Sequence, residues 1–222
     1  MTVMPTEPHP ATDALIDRWN VLLERCGATA APEPYCRALL ARWAEPQRRY
    51  HTTDHLLAVL DEVDLLAAHA QDPDAVRLAA WFHDAVYRPD RSENEERSAR
   101  LAIRALGEAG LSAALIAEVV RLVRLTVDHH PAPGDRNGEV LCDADLAVLG
   151  RSPEAYARYT AAVRAEYAFV PEDVFRRERA AVLRQLLALP ALYRTPAAHA
   201  RYDGPARTNL AAELAELSKP VP

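Results

Sequence analysis

Apolar positions recur along this chain at spacings of three and four, punctuated by prolines and glycines, and that periodicity predicts a succession of helices. From about Thr53 to His69, the residues Leu56, Val59, Leu60, Val63, Leu66 and Ala67 mark one buried helical face. His55 sits one turn before Val59, at the edge of that face. A break at Asp72-Pro73 precedes a helix from about Asp74 to Tyr87, in which Leu78, Ala79, Ala80, Trp81, Phe82, Ala85 and Val86 surround two polar side chains, His83 and Asp84. Upstream, one helix begins near Thr12 or Asp13 and ends at Gly27. A second starts around Glu33-Pro34 and stops before Pro46, because the residue preceding a proline is pushed out of helical geometry. Downstream, Ser92 and Glu95 have the spacing of a capping box that opens a helix running to the Gly107–Gly110 region. The next helix spans about Ser112 to His129. Residues 131–138, rich in proline and glycine, read as a loop, and a segment from Val140 to Leu149 stops at Gly150. Ser152-Pro153 opens a helix to about Phe169, Pro171 opens another that ends near Pro190, and a last helix fits Pro205 to Leu217.

No internal repeat or flexible linker interrupts this order, so the expectation is one all-α domain over residues 12–218, preceded by a loose tail at residues 1–11 with Pro5, Pro8 and Pro10. Composition agrees: seventeen prolines against seven glycines favour helices with proline-marked breaks over a strand-rich sandwich. A net charge of −6 gives no basic footprint, which argues against nucleic acid as a partner while leaving room for a single phosphate at a local arginine cluster. Cys26, Cys36 and Cys142 make neither an even disulfide framework nor a CxxC pair. Without a leader-like start or a span of about eighteen apolar residues, the sequence predicts a cytoplasmic protein with no membrane association.

Chemistry enters with His83-Asp84. An ionised carboxylate inside an apolar helix is costly unless it is paired or coordinates a metal. A structural account would have Asp84 cap a helix or pair with an arginine, and His83 act as a satisfied core histidine. Two other features favour a metal. His51 and His55 are four apart, and one imidazole from them can reach an ion held by His83 and Asp84. Asp143 and Asp145 lie far downstream, and on a helix they point about 200° apart, so one faces the ion and the other caps or orients.

A histidine, an adjacent His-Asp and a distant aspartate, all on helices, resemble the HD superfamily of metal-dependent phosphohydrolases. Arg49-Tyr50-His51-x-x-x-His55, Trp81-Phe82-His83-Asp84, Asn94-Glu95-x-x-Ser98-Ala99, Thr126-x-x-His129, Asp143-Ala-Asp145-Leu146-x-x-Leu149-Gly150, Arg164-x-Glu166-Tyr167 and Ala206-Arg207-x-Asn209-Leu210 are similar to a family of predicted HD phosphohydrolases, over roughly residues 48–210. The resemblance implies a single HD-type helical domain with His55, His83, Asp84 and Asp145 as metal ligands. It prefers His55 to His51 and Asp145 to Asp143. The Gly-Tyr-Pro signature of the cyclic-dinucleotide branch is absent.

Two imidazoles and two carboxylates leave about two positions of an octahedral ion open, for a water and a phosphoryl oxygen. The mixed nitrogen and oxygen set suits Mn, Fe, Co, Ni or Zn better than Mg. Two aspartates neutralise one divalent ion, so an anionic substrate still needs cations, for which Arg48, Arg49, Arg88, Arg164 and Arg207 are candidates. Glu95 and His129 are candidate proton donors to a leaving group, and His129 or His130 alternatively binds a second ion. The expected function is hydrolysis of a small phosphate ester, a nucleotide being favoured, by a metal-activated water. A non-catalytic nucleotide sensor using the same pocket is the alternative.

Overall fold

The computed structural model of the chain describes residues 9–29 and 33–219, and residues 1–8 of the expected tail lie outside them. At the tail's end His9 is placed, its Nε2 2.8 Å from Asp54 Oδ1. Among the described residues there are ten α-helices, one short 3-10 helix and no strand. They are α1 (Thr12–Arg25), α2 (Glu33–Trp43), α3 (Thr53–Leu66), α4 (Pro73–Phe82), α5 (Asn94–Glu108), α6 (Ala113–Leu125), α7 (Arg136–Asp145), the 3-10 helix (Leu146–Gly150), α8 (Pro153–Glu166), α9 (Glu172–Ala188) and α10 (Pro196–Leu217). The fold is all-α, as the periodicity predicts.

The architecture turns on α4. Its residues Ala75, Val76, Leu78, Ala79, Ala80, Trp81 and Phe82 are all buried, with Asp74 and Arg77 its partly exposed charged side chains, and a helix so largely apolar is stable only when others surround it. Helices α1, α3, α5, α6 and α7 do so. Trp19 of α1 meets Trp81 edge to face at 5.1 Å, and Trp43 of α2 donates its indole N–H to the Trp81 carbonyl at 3.2 Å. Helix α10 packs against α9 and the 3-10 helix, closing the other end. There the backbone and side chain of Tyr202 come so near Gly150 that an added Cβ would stand 2.6 Å from Tyr202 Cβ and 2.8 Å from its Cα.

Several boundaries differ from expectation, each for a local reason. Helix α4 ends at Phe82, so His83 is its C-cap and Asp84 lies beyond it rather than mid-helix. The carbonyls of Asp84 and Ala85 instead accept from the Arg48 guanidinium at 2.8 and 3.3 Å, and the Val86 amide donates to Ser98 Oγ at 3.0 Å. Ser92 does not cap α5, whose N-cap is Glu93. Asn94 fixes that corner, accepting from the Arg88 amide and donating to the Arg88 and Arg91 carbonyls. Helix α6 stops at Leu125, four residues before His129.

The Asn137-Gly138 step, read as loop, lies inside the first turn of α7. Asp135 caps it by accepting from the Gly138 amide at 3.0 Å, and Asn137 Oδ1 accepts from the amides of Gln71 and Asp72. Helix α8 ends at Glu166. Helix α10 begins at Pro196, nine residues before Pro205, which sits in its interior. Thr195 caps it, accepting from the Ala198 amide, and Asp143 accepts from the Arg194 and Thr195 amides just ahead of it.

Candidate metal centre

Four histidines and two aspartates converge from four separate segments. His51 comes from the turn before α3, and His55 from the first turn of α3. His83 and Asp84 come from the end of α4, His129 from the turn after α6, and Asp145 from the last residue of α7. The Nε2 atoms of His55 and His83 are 3.4 Å apart. Asp145 Oδ1 lies 3.1 Å from His55 Nε2 and 3.7 Å from His83 Nε2. Asp84 Oδ2 lies 3.5 Å from His83 Nε2 and 3.8 Å from His51 Nε2. His129 Nε2 is 2.8 Å from Asp145 Oδ2.

Ligand atoms bound at about 2.0–2.2 Å to one ion stand roughly 3–3.5 Å apart at cis or tetrahedral angles, and the His55–His83, His55–Asp145 and His83–Asp84 separations fall in that range. His55, His83 and Asp145 form a group able to hold a metal ion, their ligand atoms all within 4.8 Å of one another. His55 and His83 make the floor, with side chains 4% and 1% exposed, while His51, Asp84, Asp145 and His129 retain 14–26%. One side of the cluster is therefore open to small molecules.

The surrounding hydrogen bonds aim these rings. His83 Nδ1 is 2.8 Å from the Ala80 carbonyl, which can only accept, so Nδ1 carries the hydrogen and Nε2 presents a lone pair to the cluster. His51 Nδ1 is 2.7 Å from Glu166 Oε2, a carboxylate–imidazole contact that fixes the ring's orientation beside the cluster. Glu166 is buried and accepts in addition from the Arg49, Tyr50 and His51 amides and the Tyr87 hydroxyl. Burial opposes its charge, but the His51 ring and these amides outweigh burial and hold its pKa down at about 2. His129 reaches Asp145 because its own backbone is left-handed, with φ 51°, an unusual conformation for a side chain other than glycine.

Electrostatics follow from the same geometry. Burial resists the charge of Asp145, but His83, His129 and His55 together hold its carboxyl well below the usual range. For His51 and His129 burial is likewise opposed and outweighed, by Asp84 and Glu166 for the first and by Asp145 for the second, so both rings hold a proton more tightly than a free imidazole. His55, the deeper ring, is pushed the other way by burial. Protons and a divalent ion answer the same need here, which is to balance two partly buried carboxylates.

The predicted site residues thus divide. His51, His55, His83, Asp84, His129 and Asp145 are brought together. Asp143 is not: it is fully engaged by the Arg194 and Thr195 amides and turns away from the cluster. His130 is exposed, its amide bonded to Asp128. Glu95 is half-buried in the first turn of α5, and no hydrogen bond or ion pair joins it to the cluster among the described residues.

Of the arginines, Arg48 is buried and braces the carbonyls of His51, Asp84 and Ala85. Arg164 is held by Glu172 and the Tyr167 and Val170 carbonyls. Arg207 is held by Asp203 and carbonyls of the α9–α10 connection. Arg88 is exposed near Asp90. Arg49 alone of the five lines a cavity of about 550 Å³ that includes His55 and Asp145, and Arg151 and Arg158 join it there.

Glu166 stands within one of the sequence motifs without an expected role, and Arg151 and Arg158 are not among the residues the sequence points to. Nothing in the local pattern pairs Glu166 with a turn 115 residues away. Comparison of the chain with family models, curated proteins and solved structures finds no match.

Proposed function

We propose that this chain is a metal-dependent phosphohydrolase of the HD type, acting on a small phosphate ester such as a nucleotide. The observation that carries the reading is the convergence of His55, His83 and Asp145, whose ligand atoms all lie within 4.8 Å of one another, with Asp84 Oδ2 3.5 Å from His83 Nε2 and the His83 ring oriented by the Ala80 carbonyl. These four are the proposed ligands, and their mixed nitrogen and oxygen chemistry favours Mn, Fe, Co, Ni or Zn over Mg. When bound, such an ion polarises a phosphoryl oxygen and makes a water a competent nucleophile near neutral pH.

The chain's own residues do the rest. The 550 Å³ cavity beside His55 and Asp145 is of the size that receives small ligands, with Tyr50 and Tyr159 offering aromatic faces. Arg49, Arg151 and Arg158 bring positive charge to the same cavity, where a phosphate's remaining oxygens need it. Arg158 has no hydrogen-bond partner within the described protein, whereas Arg151 pairs with Glu62. His129, hydrogen-bonded to Asp145 and partly exposed, is our candidate for the group that gives a proton to a departing alkoxide. Glu166 keeps His51 turned toward Asp84.

Phosphate release across a panel of nucleotides and phosphomonoesters, in buffers containing each of the five ions, tests the reading. Activity on at least one ester is expected, lost in His83→Ala and in Asp84→Ala. Activity surviving both substitutions contradicts it, and stoichiometric nucleotide binding without turnover would favour a sensor instead.

A further inference from the structure

A second set of arginines lies outside the metal centre. Arg97, Arg100 and Arg104 occupy positions i, i+3 and i+7 of α5, which places them on one stripe of that helix. Arg42, in the last turn of α2, joins them. These four guanidinium side chains, with Val86 and Leu101, line a cavity of about 200 Å³. An adjoining cavity of about 320 Å³ shares Arg42 and Val86 and adds Arg88.

In a chain of net charge −6, this is a local inversion of sign. The protein offsets it incompletely. Arg97 pairs with Glu93 at 3.2 Å and Arg100 with Glu96 at 3.1 Å, but Glu96 is shared with Arg124, which it meets at 2.8 Å. Arg42 and Arg104 have no carboxylate partner among the described residues. Like charges gathered around one space repel each other, and an arginine left unpaired there keeps five N–H donors free. The planar fork of the guanidinium matches phosphate oxygens, which a lysine would meet only as a point charge. The apolar floor of Val86 and Leu101 offers an incoming anion no competing acceptor side chain.

We propose that this α2–α5 cavity is a second anion site, distinct from the metal centre, that takes a small di- or triphosphate. A linked pair of phosphate tetrahedra satisfies arginines arriving from two different helices, Arg42 on one and Arg104 on the other, which a single tetrahedron does less well. Arg88, a phosphate candidate in the sequence, lines the adjoining cavity together with Glu45 and not this one, and it does not line the cavity beside His55 and Asp145.

Calorimetric titration of the full chain with inorganic tripolyphosphate, after dialysis against a chelator to strip any metal, tests this independently of the hydrolase reading. Saturable binding is expected in the stripped protein, weakened at least tenfold in the double variant Arg42→Gln/Arg104→Gln. It should change by less than twofold in Arg177→Gln/Arg184→Gln, which removes the same charge from exposed positions of α9. Absence of saturable binding, equal weakening in the two double variants, or binding that disappears on chelation would each overturn the proposal. So would a single-stranded oligonucleotide that binds the same arginines tenfold more tightly than tripolyphosphate, because the site would then belong to a polyanion.

Discussion

At the scale of single residues, the candidate centre is organised by groups that would never touch a substrate. Glu166 is the clearest case: one buried carboxylate collects three successive backbone amides, a tyrosine hydroxyl and the Nδ1 of His51. Replacing it by glutamine keeps the size but gives up the charge that orients His51. His51 is not itself one of the proposed ligands but faces one of them, Asp84, at 3.8 Å. Loss of an outer partner typically weakens metal binding about 10–100-fold, so Glu166→Gln, acting through His51 on Asp84, should weaken it by at most that order in a competition titration against a chromophoric chelator, while circular dichroism stays that of the wild type. An unchanged affinity would reduce Glu166 to a purely structural brace. His129 is proposed instead as the proton donor. His129→Gln should retain the metal yet lower turnover by about 10²–10⁴-fold for esters with poor leaving groups, and far less for an activated aryl phosphate that departs without a proton. Equal losses on both kinds of ester would remove it as the proton donor.

At the scale of elements, the site depends on where helices end. His83 and Asp84 reach the cluster because α4 stops at Phe82 and Arg48 takes over the carbonyls that a further turn would have used. Asp145 reaches it because α7 begins at Arg136, a start fixed by Asp135, which caps the Gly138 amide and binds Arg121 at 2.6 Å. Burial raises the Asp135 carboxyl pKa, but Arg121 and the Gly138 amide outweigh this and leave it below its ordinary 3.8. A carboxyl depressed on folding stabilises the protein fully above its unfolded value, and that contribution disappears as pH falls through the lower folded value. Asparagine still caps but carries no charge. Asp135→Asn should therefore be less stable than wild type in urea at pH 7, with the gap closing as the pH drops below about 3.8, the carboxyl's ordinary value. A gap independent of pH would show that Arg121 contributes nothing through this pair.

These same ends mark the limit of what the sequence discloses. Helices with a clear apolar stripe, such as α3, or a Ser-Pro opening, such as α8, are legible from local spacing alone. The end of α4 is not, because Ala85 and Val86 continue the apolar pattern and the arginine that stops the helix lies 36 residues upstream of Asp84. The start of α10 is hidden by Pro205, whose position suggests a beginning where the helix is already under way, while the Thr195 cap is set by Asp143 from 52 residues away. Within the cluster, residue types and order are readable as a set, and the choice between Asp143 and Asp145 is not. It is made by the partners each finds, amides of the chain ahead of α10 for one and three imidazoles for the other.

At the scale of the whole molecule, four segments separated in sequence are held together by the core around α4, and the two carboxylates they bring cost folding energy unless something cationic balances them. Among the described residues no helix is long and apolar enough to cross a membrane. An ion bound by the folded chain and not by the unfolded one would add to its stability. The account therefore stands most directly on the metal itself. Elemental analysis by mass spectrometry of the purified chain, before and after incubation with Mn, Fe, Co, Ni and Zn salts and desalting, measures it. About one tightly held transition-metal ion per chain is predicted, absent from a folded His83→Ala variant. A chain that carries no stoichiometric metal and gains none on incubation would contradict the metal centre, and with it the hydrolase built upon it.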